Sequence, residues 1–352
     1  MRIGYSYWGF CESHEQSRIA QTPDGLRFCR PIFVEELINR GHEVISLQTQ
    51  REENPTEGLK FNPTGLPDLD VILLEWRWPT YKNFGPRRFE PDYSRQEQLL
   101  SHYHGKIPVV IWDLDLKLTA EDEKRWHQAI IADASLKPGA LTRPRTVLTM
   151  WSDFGQLLPA AEATLEFGYV GNNYERQEML EKYYAAPSKD LRDAGIQTKL
   201  WGNWLQSSPE REPPENVIRK YPYLTLSDRV GFYESMQVLN KFISVVHITK
   251  PLYAAQGHVP ARYFESLAVR TPALIPGEHL YSDILGEKWA VSSPADVVDK
   301  VKYLKTCTAQ DRYHIVLEQE TAFRRVWDFT VGAAVEFFED LKHNPKSALK
   351  NR

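Results

Sequence analysis

Short apolar runs that alternate with longer helical stretches limit the possible folds of this sequence more than any other feature. Residues 2–6, 43–47 and 70–75 are such runs, and a helical stretch over 28–39 separates the first two. A strand, a helix and a second strand in this order are typical of a parallel βαβ unit. Strands that are apolar at nearly every position are buried on both faces, as parallel sheets are. The sequence therefore predicts an α/β fold.

The alternation occurs twice, and its periodicity breaks around residues 154–162. A length of 352 residues also suits two domains. We predict an N-terminal Rossmann-like domain over 1–158, a C-terminal one over 159–328, and a last segment over 329–352 whose helix crosses back to the first domain. Two doubly wound domains of this kind face each other across a cleft and bind ligands beyond the carboxyl ends of their strands. The later predicted strands are 107–112, 146–150, 164–170, 198–201, 242–248 and 272–276.

Composition excludes several classes of protein. With 42% hydrophobic residues and a net charge of -4, the chain is neither disordered nor attracted as a whole to nucleic acid or anionic lipid. Its three cysteines lack metal-ligand spacing, which fits a reducing compartment. Because the sequence also lacks a signal peptide and a long apolar segment, we expect a cytoplasmic protein without a membrane span. We also expect a monomer.

The first candidate binding motif follows the strand that ends at Val170. Gly171, Asn172 and Asn173 precede a predicted helix, and Arg176 lies in its first turn. Free backbone N–H groups at a helix start attract anions, and arginine adds a fork of donors suited to phosphate. An ordinary helix cap with a surface arginine explains the same residues.

The second motif is Arg262 with Glu265, at the start of a helix that begins near Pro260. Residues three apart share one helix face. The arginine suits a diphosphate at the helix N-terminus, and the carboxylate suits the two hydroxyls of a ribose. A solvated ion pair would have the same spacing.

The third motif is Trp112-Asp113-Leu114-Asp115, at the end of a buried strand. A carboxylate there can point into the cleft and act as a general base for a hydroxyl acceptor. Asp113 is preferred because Asp115 lies further into the loop, although either aspartate could simply stabilise a turn.

Basic and aromatic residues alternate in the loops of the first half. This composition is typical of a rim that contacts nucleic acid, although scattered solvated charge explains it too. The basic residues are Arg77, Lys82, Arg87, Arg88, Lys137, Arg143 and Arg145, and the aromatic residues are Trp76, Trp78, Tyr81, Phe84 and Phe89.

The order of these elements resembles the GT-B glycosyltransferases. The resemblance rests on Gly171-Asn172-Asn173, Leu200-Trp201-Gly202-Asn203 and Arg262-x-x-Glu265. Within that class the chain is similar, along nearly its whole length, to the phage DNA β-glucosyltransferases. These enzymes transfer glucose from UDP-glucose to 5-hydroxymethylcytosine in DNA.

The resemblance implies a role for each motif. Asp113 falls on the catalytic aspartate of the family, Arg176 and Arg262 fall on its diphosphate contacts, and Glu265 falls on its ribose contact. Gly171, Asn172, Asn173, Gly202 and Asn203 would complete the nucleotide-sugar site. No metal site made of protein ligands is expected, and a Mg²⁺ or Mn²⁺ ion could accompany the diphosphate.

The resemblance also implies a reaction, the inverting transfer of a hexose from a UDP-sugar, with UDP-glucose as the first choice, to a hydroxymethylated pyrimidine in duplex DNA. The family's acidic hexose contact falls at Arg27 or Asp24, so the sugar stays open. The loops that hold the DNA base are not shared, so the acceptor stays open too. A protein, glycan or small molecule is an alternative acceptor. A nucleotide-sugar epimerase and a non-catalytic binding protein are alternatives on the same fold.

Overall fold

The structure is a computed structural model, and it describes residues 1–12, 25–49, 51–77, 80–81, 91–136, 146–149, 151, 164–204 and 219–343. The side chains of 25–28, 80–81 and 91–92 are outside this description. All residue ranges, contacts and absences below refer to these parts of the chain.

A parallel sheet forms the first half of the fold. Its strand order is β3-β2-β1-β4-β7-β8-β9, and every neighbouring pair is parallel. Each residue of the central strand β4 is buried, which confirms the expectation of a sheet covered on both faces. The strands are β1 (Arg2–Ser6), β2 (Glu43–Ser46), β3 (Lys60–Phe61), β4 (Val71–Glu75), β7 (Val109–Trp112), β8 (Ile130–Asp133) and β9 (Thr146–Val147), and a separate antiparallel pair is β5 (Thr80–Tyr81) with β6 (Pro91–Asp92).

The second half contains two three-stranded parallel sheets, in the orders β10-β11-β12 and β13-β14-β15. The Ile243 N–H donates to the Glu166 carbonyl over 2.8 Å and joins the two sheets edge to edge. The chain therefore has two parallel α/β units, as predicted. Their strands are β10 (Glu166–Val170), β11 (Gln197–Trp201), β12 (Leu224–Ser227), β13 (Val245–Val246), β14 (Ala273–Pro276) and β15 (Ala290–Val291).

The helices lie between the strands and cover the sheets. Most predicted helices are present within a few residues of their expected ends, but the one predicted over 175–184 is an α-turn that continues as a π-turn (Glu181–Ala185). The helices are α1 (Gly25–Asn39), α2 (Ser94–Tyr103), α3 (Ala120–Arg125), α4 (Gln177–Leu180), α5 (Ser188–Asp193), α6 (Phe232–Lys241), α7 (Pro251–Gln256), α8 (Ala261–Ala268), α9 (Pro294–Thr306), α10 (Ala309–Val326) and α11 (Val331–His343). None of them is long and apolar enough to cross a membrane.

The two halves are joined by backbone hydrogen bonds at the carboxyl ends of their strands. The Val259 N–H donates to the Ala134 carbonyl over 2.9 Å, and the Leu136 N–H donates to the Gly257 carbonyl over 3.0 Å. These two bonds connect the loop after β8 to the segment between α7 and α8, and we call this connection the junction. The predicted boundary at 158 lies among residues 152–163, outside the described ranges, and stays a prediction.

Helix α11 packs on α1 of the first half. The rings of Phe338 and Phe33 are 5.8 Å apart. At the edge of this contact, Glu339 accepts hydrogen bonds from Arg40 and pairs with His42, each over 3.1 Å. The last described helix therefore covers an apolar face of the first half.

A buried ion pair lies beneath the carboxyl end of the first sheet. The Arg30 guanidinium on α1 donates to both carboxylate oxygens of Glu75, at the end of β4, over 2.9 Å. Both side chains are 1% exposed. The Tyr5 hydroxyl and the Trp8 N–H also donate to this carboxylate. The pair therefore ties helix α1, strand β1 and strand β4 together below the cleft.

Candidate active site

The carboxyl ends of the strands in the two halves meet at the junction. From the first half come the ends of β4, β7 and β8, and from the second half come α7 and the start of α8. Open parallel sheets bind ligands at this edge. The candidate site is therefore built from loops whose positions the two sheets fix.

Asp113 directly follows β7, as predicted. It is fully buried. One carboxylate oxygen accepts the Lys117 N–H over 2.7 Å, and the other accepts the Leu118 N–H over 3.0 Å. The loop folds back in this way because Leu116 adopts a positive φ of 51°. The carboxylate of Asp113 therefore stabilises the backbone of its own loop.

Asp115 lies two residues further on and is 22% exposed. One of its oxygens pairs with Arg77 Nε over 3.0 Å, and the other accepts the Tyr253 hydroxyl over 3.0 Å. Burial raises the pKa of its carboxyl, but nearby cations and the phenol outweigh burial and leave the pKa below its ordinary value. Those lowering groups are Arg77, Tyr253, Lys117 and Lys250. Asp115 is thus an ionised carboxylate at the junction.

The two Gly/Asn motifs of the second half lie side by side, at the ends of β10 and β11. The Gly171 N–H donates to the Trp201 carbonyl over 2.8 Å, and the Asn172 side-chain oxygen accepts the Asn203 N–H over 3.0 Å. The Gly171 N–H is therefore not free for an anion, in contrast to the expectation from sequence. Asn173 is partly exposed, and its side-chain amide donates to Gln177 over 3.2 Å.

Gly202 lets these two loops approach. Its φ is +140°, which residues with a side chain rarely adopt, and a Cβ there would overlap the Gly171 carbonyl oxygen.

Replacing Gly202 with alanine is expected to lower the free energy of unfolding by about 1–3 kcal/mol or more, because backbone strain and steric overlap act together. Urea unfolding measures the loss. Gly41→Ala is the control, because Gly41 also has a positive φ but no atom near its Cβ position. Equal losses in the two variants would contradict the close approach.

Arg176 precedes α4 instead of lying in its first turn, because the helix begins at Gln177. One guanidinium nitrogen donates to the Asn172 carbonyl over 2.6 Å. Arg176 is also close enough to the Tyr253 phenol to interact with it electrostatically. The arginine that the sequence assigns to a diphosphate therefore lies on the same side of the second half as Tyr253.

Arg262 and Glu265 form an ion pair of 2.6 Å on the first turns of α8. Pro260 is the N-cap, so the helix begins one residue later than predicted. The side chain of Glu265 is 2% exposed and that of Arg262 is 17% exposed. The pair is therefore not on a solvated helix face. The carboxylate lies beneath an arginine that is partly open to solvent.

His247, which no sequence motif marked as a site residue, is buried close to this pair. It follows β13, is fully buried, and its Nε2 lies 3.0 Å from the Ser266 hydroxyl. Burial, Arg262 and His279 together lower the pKa of His247 to about 3. The imidazole is therefore neutral, and Arg262 carries the positive charge at this point. A polar residue that ends an apolar strand was the available signal.

Two predictions about the sugar and the nucleic-acid rim lie outside the described residues. Asp24 is not described, and neither is the side chain of Arg27. Most of the basic rim, from Lys82 to Arg88 and from Lys137 to Arg145, is not described either. Of its basic residues only Arg77 is placed, and its guanidinium lies 4.1 Å from the Trp8 ring. In the described part of the chain, no group of three His, Cys, Asp or Glu side chains could hold a metal ion.

Two parallel α/β units whose strand ends meet across a junction define the GT-B fold, and the chain has this fold. The structure of a β-glucosyltransferase described as a DNA-modifying enzyme matches with a TM-score of 0.58 and 14% identity. The match covers 100% of this chain and 100% of that enzyme's chain. That structure was determined with and without uridine diphosphoglucose.

Two further solved structures share the fold. An α-glucosyltransferase in complex with UDP and a 13-mer DNA matches with a TM-score of 0.58 and 14% identity, covering 93% of this chain and 99% of its own. AviGT4, a glycosyltransferase of avilamycin A biosynthesis, matches with a TM-score of 0.55 and 13% identity, covering 98% of this chain and 97% of its own. No protein-family model and no curated protein sequence matches the chain.

Proposed function

We propose that the protein is an inverting nucleotide-sugar glycosyltransferase that transfers a hexose, with glucose from UDP-glucose as the first candidate, to a hydroxymethylated pyrimidine in duplex DNA. The observation that carries the proposal is the position of Asp115. An ionised carboxylate lies at the junction, and the predicted donor-binding residues lie on the facing half. The fold supports the reaction class, and two of the matching structures are DNA-modifying or DNA-bound glucosyltransferases.

The donor would bind to the second half. Arg262 and Arg176 would contact the diphosphate, and Glu265 would accept hydrogen bonds from the ribose hydroxyls. The loops that carry the other predicted donor residues lie at the ends of β10 and β11: Gly171, Asn172, Asn173, Gly202 and Asn203. A divalent ion would take its ligands mainly from the diphosphate, because the described residues offer no cluster of their own.

The chemistry needs one base and a stabilised leaving group. The acceptor hydroxyl oxygen forms a bond to the anomeric carbon while its proton passes to Asp115. The bond between that carbon and the diphosphate oxygen breaks, and UDP leaves with the electron pair. Positive charge held in place beside the departing oxygen is worth several kcal/mol in sites of this kind. We assign the base to Asp115 and not to Asp113, because the Asp115 side chain is 22% exposed beside the junction whereas Asp113 is fully buried.

The test is incubation with UDP-glucose and duplex DNA that carries 5-hydroxymethylcytosine or 5-hydroxymethyluracil, followed by nucleoside mass spectrometry. We expect the mass of the modified nucleoside to increase by one hexose. DNA with unmodified pyrimidines is the control and should gain nothing. A thermal shift with UDP tests donor binding separately.

The match to AviGT4 favours a second candidate acceptor, a small molecule. UDP binding and hydrolysis of UDP-glucose without any gain of mass on DNA would favour this acceptor over DNA. Isomerised donor would indicate an epimerase, and donor binding without any turnover would indicate a binding protein. Absence of a thermal shift with every UDP-sugar would contradict the donor site itself.

A further inference from the structure

One hydrogen bond connects the side chains of the two halves at the carboxylate that we assign as the base. The Tyr253 hydroxyl on α7 donates to an oxygen of Asp115 over 3.0 Å. Tyr253 belongs to the second half and is 6% exposed. Asp115 belongs to the loop after β7 of the first half. The contact thus brings together residues 138 positions apart.

The other oxygen of Asp115 is held by its own half. Arg77 Nε pairs with it over 3.0 Å, and the Arg77 guanidinium lies on the ring of Trp8 at 4.1 Å. Arginine stacked on an indole is restricted in its rotamers and keeps its donors in one plane. The carboxylate is thus held at both oxygens, once by each half of the fold.

The Tyr253 ring is fixed by the junction itself. Its centroid lies 4.5 Å from the imidazole of His258. His258 precedes Val259, whose N–H donates to the Ala134 carbonyl of the first half. The phenol therefore donates to Asp115 from the helix that directly precedes the junction. A shift of α7 away from the first half would break both the junction bonds and this hydrogen bond.

We infer that Tyr253 is a positioning residue that completes the general base from the opposite half, so that Asp115 is oriented for proton transfer only while the junction is closed. The inference rests on the proposed function. Burial raises the pKa of the Tyr253 phenol, with a further increase from Asp115. The phenol therefore stays protonated and donates its hydrogen bond without taking the proton of the acceptor.

Charged and titratable groups from several elements surround Asp115 and Tyr253. Arg77 follows β4, and Lys117 belongs to the same loop as Asp115. Lys250 precedes α7, and its ammonium lies 5.5 Å from the Tyr253 ring. Tyr93 and Arg176 also interact electrostatically with Asp115 or Tyr253, and the imidazole of His258 lies against the Tyr253 ring.

Tyr253→Phe tests the inference, because it removes one oxygen atom and keeps the ring. We expect kcat to fall about two- to tenfold, the usual worth of one hydrogen bond, with an unchanged KM for UDP-glucose. Loss of a donor to the ionised carboxylate raises the pKa of Asp115. The base works only when ionised, so the acid limb of the kcat profile should move to higher pH by about half to one pH unit. Tyr303→Phe, at an exposed tyrosine of α9, is the control and should change neither quantity.

Three results would overturn the inference, and they are distinguishable. If the unaltered protein transfers sugar and Tyr253→Phe keeps its kcat and pH profile, Tyr253 has no positioning role and the proposed function stands. If the unaltered protein transfers sugar to no acceptor, the proposed function fails and the inference fails with it. If Tyr253 has only a structural role, Tyr253→Phe should lower the melting temperature and leave the acid limb of the kcat profile unchanged. This result would also overturn the inference. Circular dichroism at each pH separates the acid limb from acid unfolding.

Discussion

Replacing Asp115 with asparagine is expected to lower kcat for sugar transfer by about 10²- to 10⁴-fold, the usual contribution of a general base. Asparagine keeps the shape of the side chain and still accepts the Tyr253 hydrogen bond, but it cannot take a proton. The Kd for UDP should change little, because the predicted donor contacts lie on the other half. Initial rates at saturating donor and acceptor measure the effect, and calorimetry with UDP measures binding.

Asp113→Asn is the matched control, because it makes the same chemical change two residues away. An amide NH₂ there would face one of the two backbone N–H groups that the carboxylate now accepts. We expect a loss of about 1–3 kcal/mol in the free energy of unfolding and a smaller loss of kcat in the folded fraction. If Asp113→Asn abolished turnover in a stable protein while Asp115→Asn retained it, the base would be Asp113, as the sequence indicates.

The second large effect concerns stability. Replacing Arg30 with methionine leaves the Glu75 carboxylate buried without its cation. Loss of one partner from a buried ion pair costs about 3–5 kcal/mol, and we expect urea unfolding to show a loss of that size. The double variant Arg30→Met, Glu75→Gln should recover part of the loss, because no buried charge remains.

A surface pair provides the comparison for this prediction. Lys189 and Asp193 lie 2.9 Å apart on α5, and their side chains are 60% and 63% exposed. Lys189→Met should lower the free energy of unfolding far less than Arg30→Met does, because an exposed ion pair contributes little to stability. If Arg30→Met cost no more than this surface change, the Arg30–Glu75 pair would not hold α1 to the sheet.

The sequence predicted the parallel α/β character well, because strands buried on both faces are nearly continuous apolar runs. Strand β8 (Ile130–Asp133) was missed, although its four residues are all buried. It is short and follows α3 after only four residues, so no periodicity marked it. This omission affects the candidate site, because the loop after β8 supplies the residues of the first half that form the junction.

For the candidate site, the sequence predicted which residues follow strands but not which contacts their side chains make. Asp113 does follow β7, but the return of the loop onto its carboxylate includes a positive φ at Leu116, which a leucine does not signal in a sequence. The contacts of Asp115 with Arg77 and Tyr253 join distant parts of the chain, and no local pattern indicates them. By contrast, Arg262 and Glu265 share a helix face as their spacing predicted.

The packing of α11 on α1 also has a consequence for synthesis on the ribosome. Chains emerge from the N-terminus, and domains generally fold as units while the rest is still being made. Here the Phe33 side of α1 acquires its Phe338 neighbour only after about three hundred further residues have been added. The nascent first half therefore leaves the ribosome with an apolar face that is still uncovered. Chaperones that bind exposed apolar surface would have their longest access to the protein at this face.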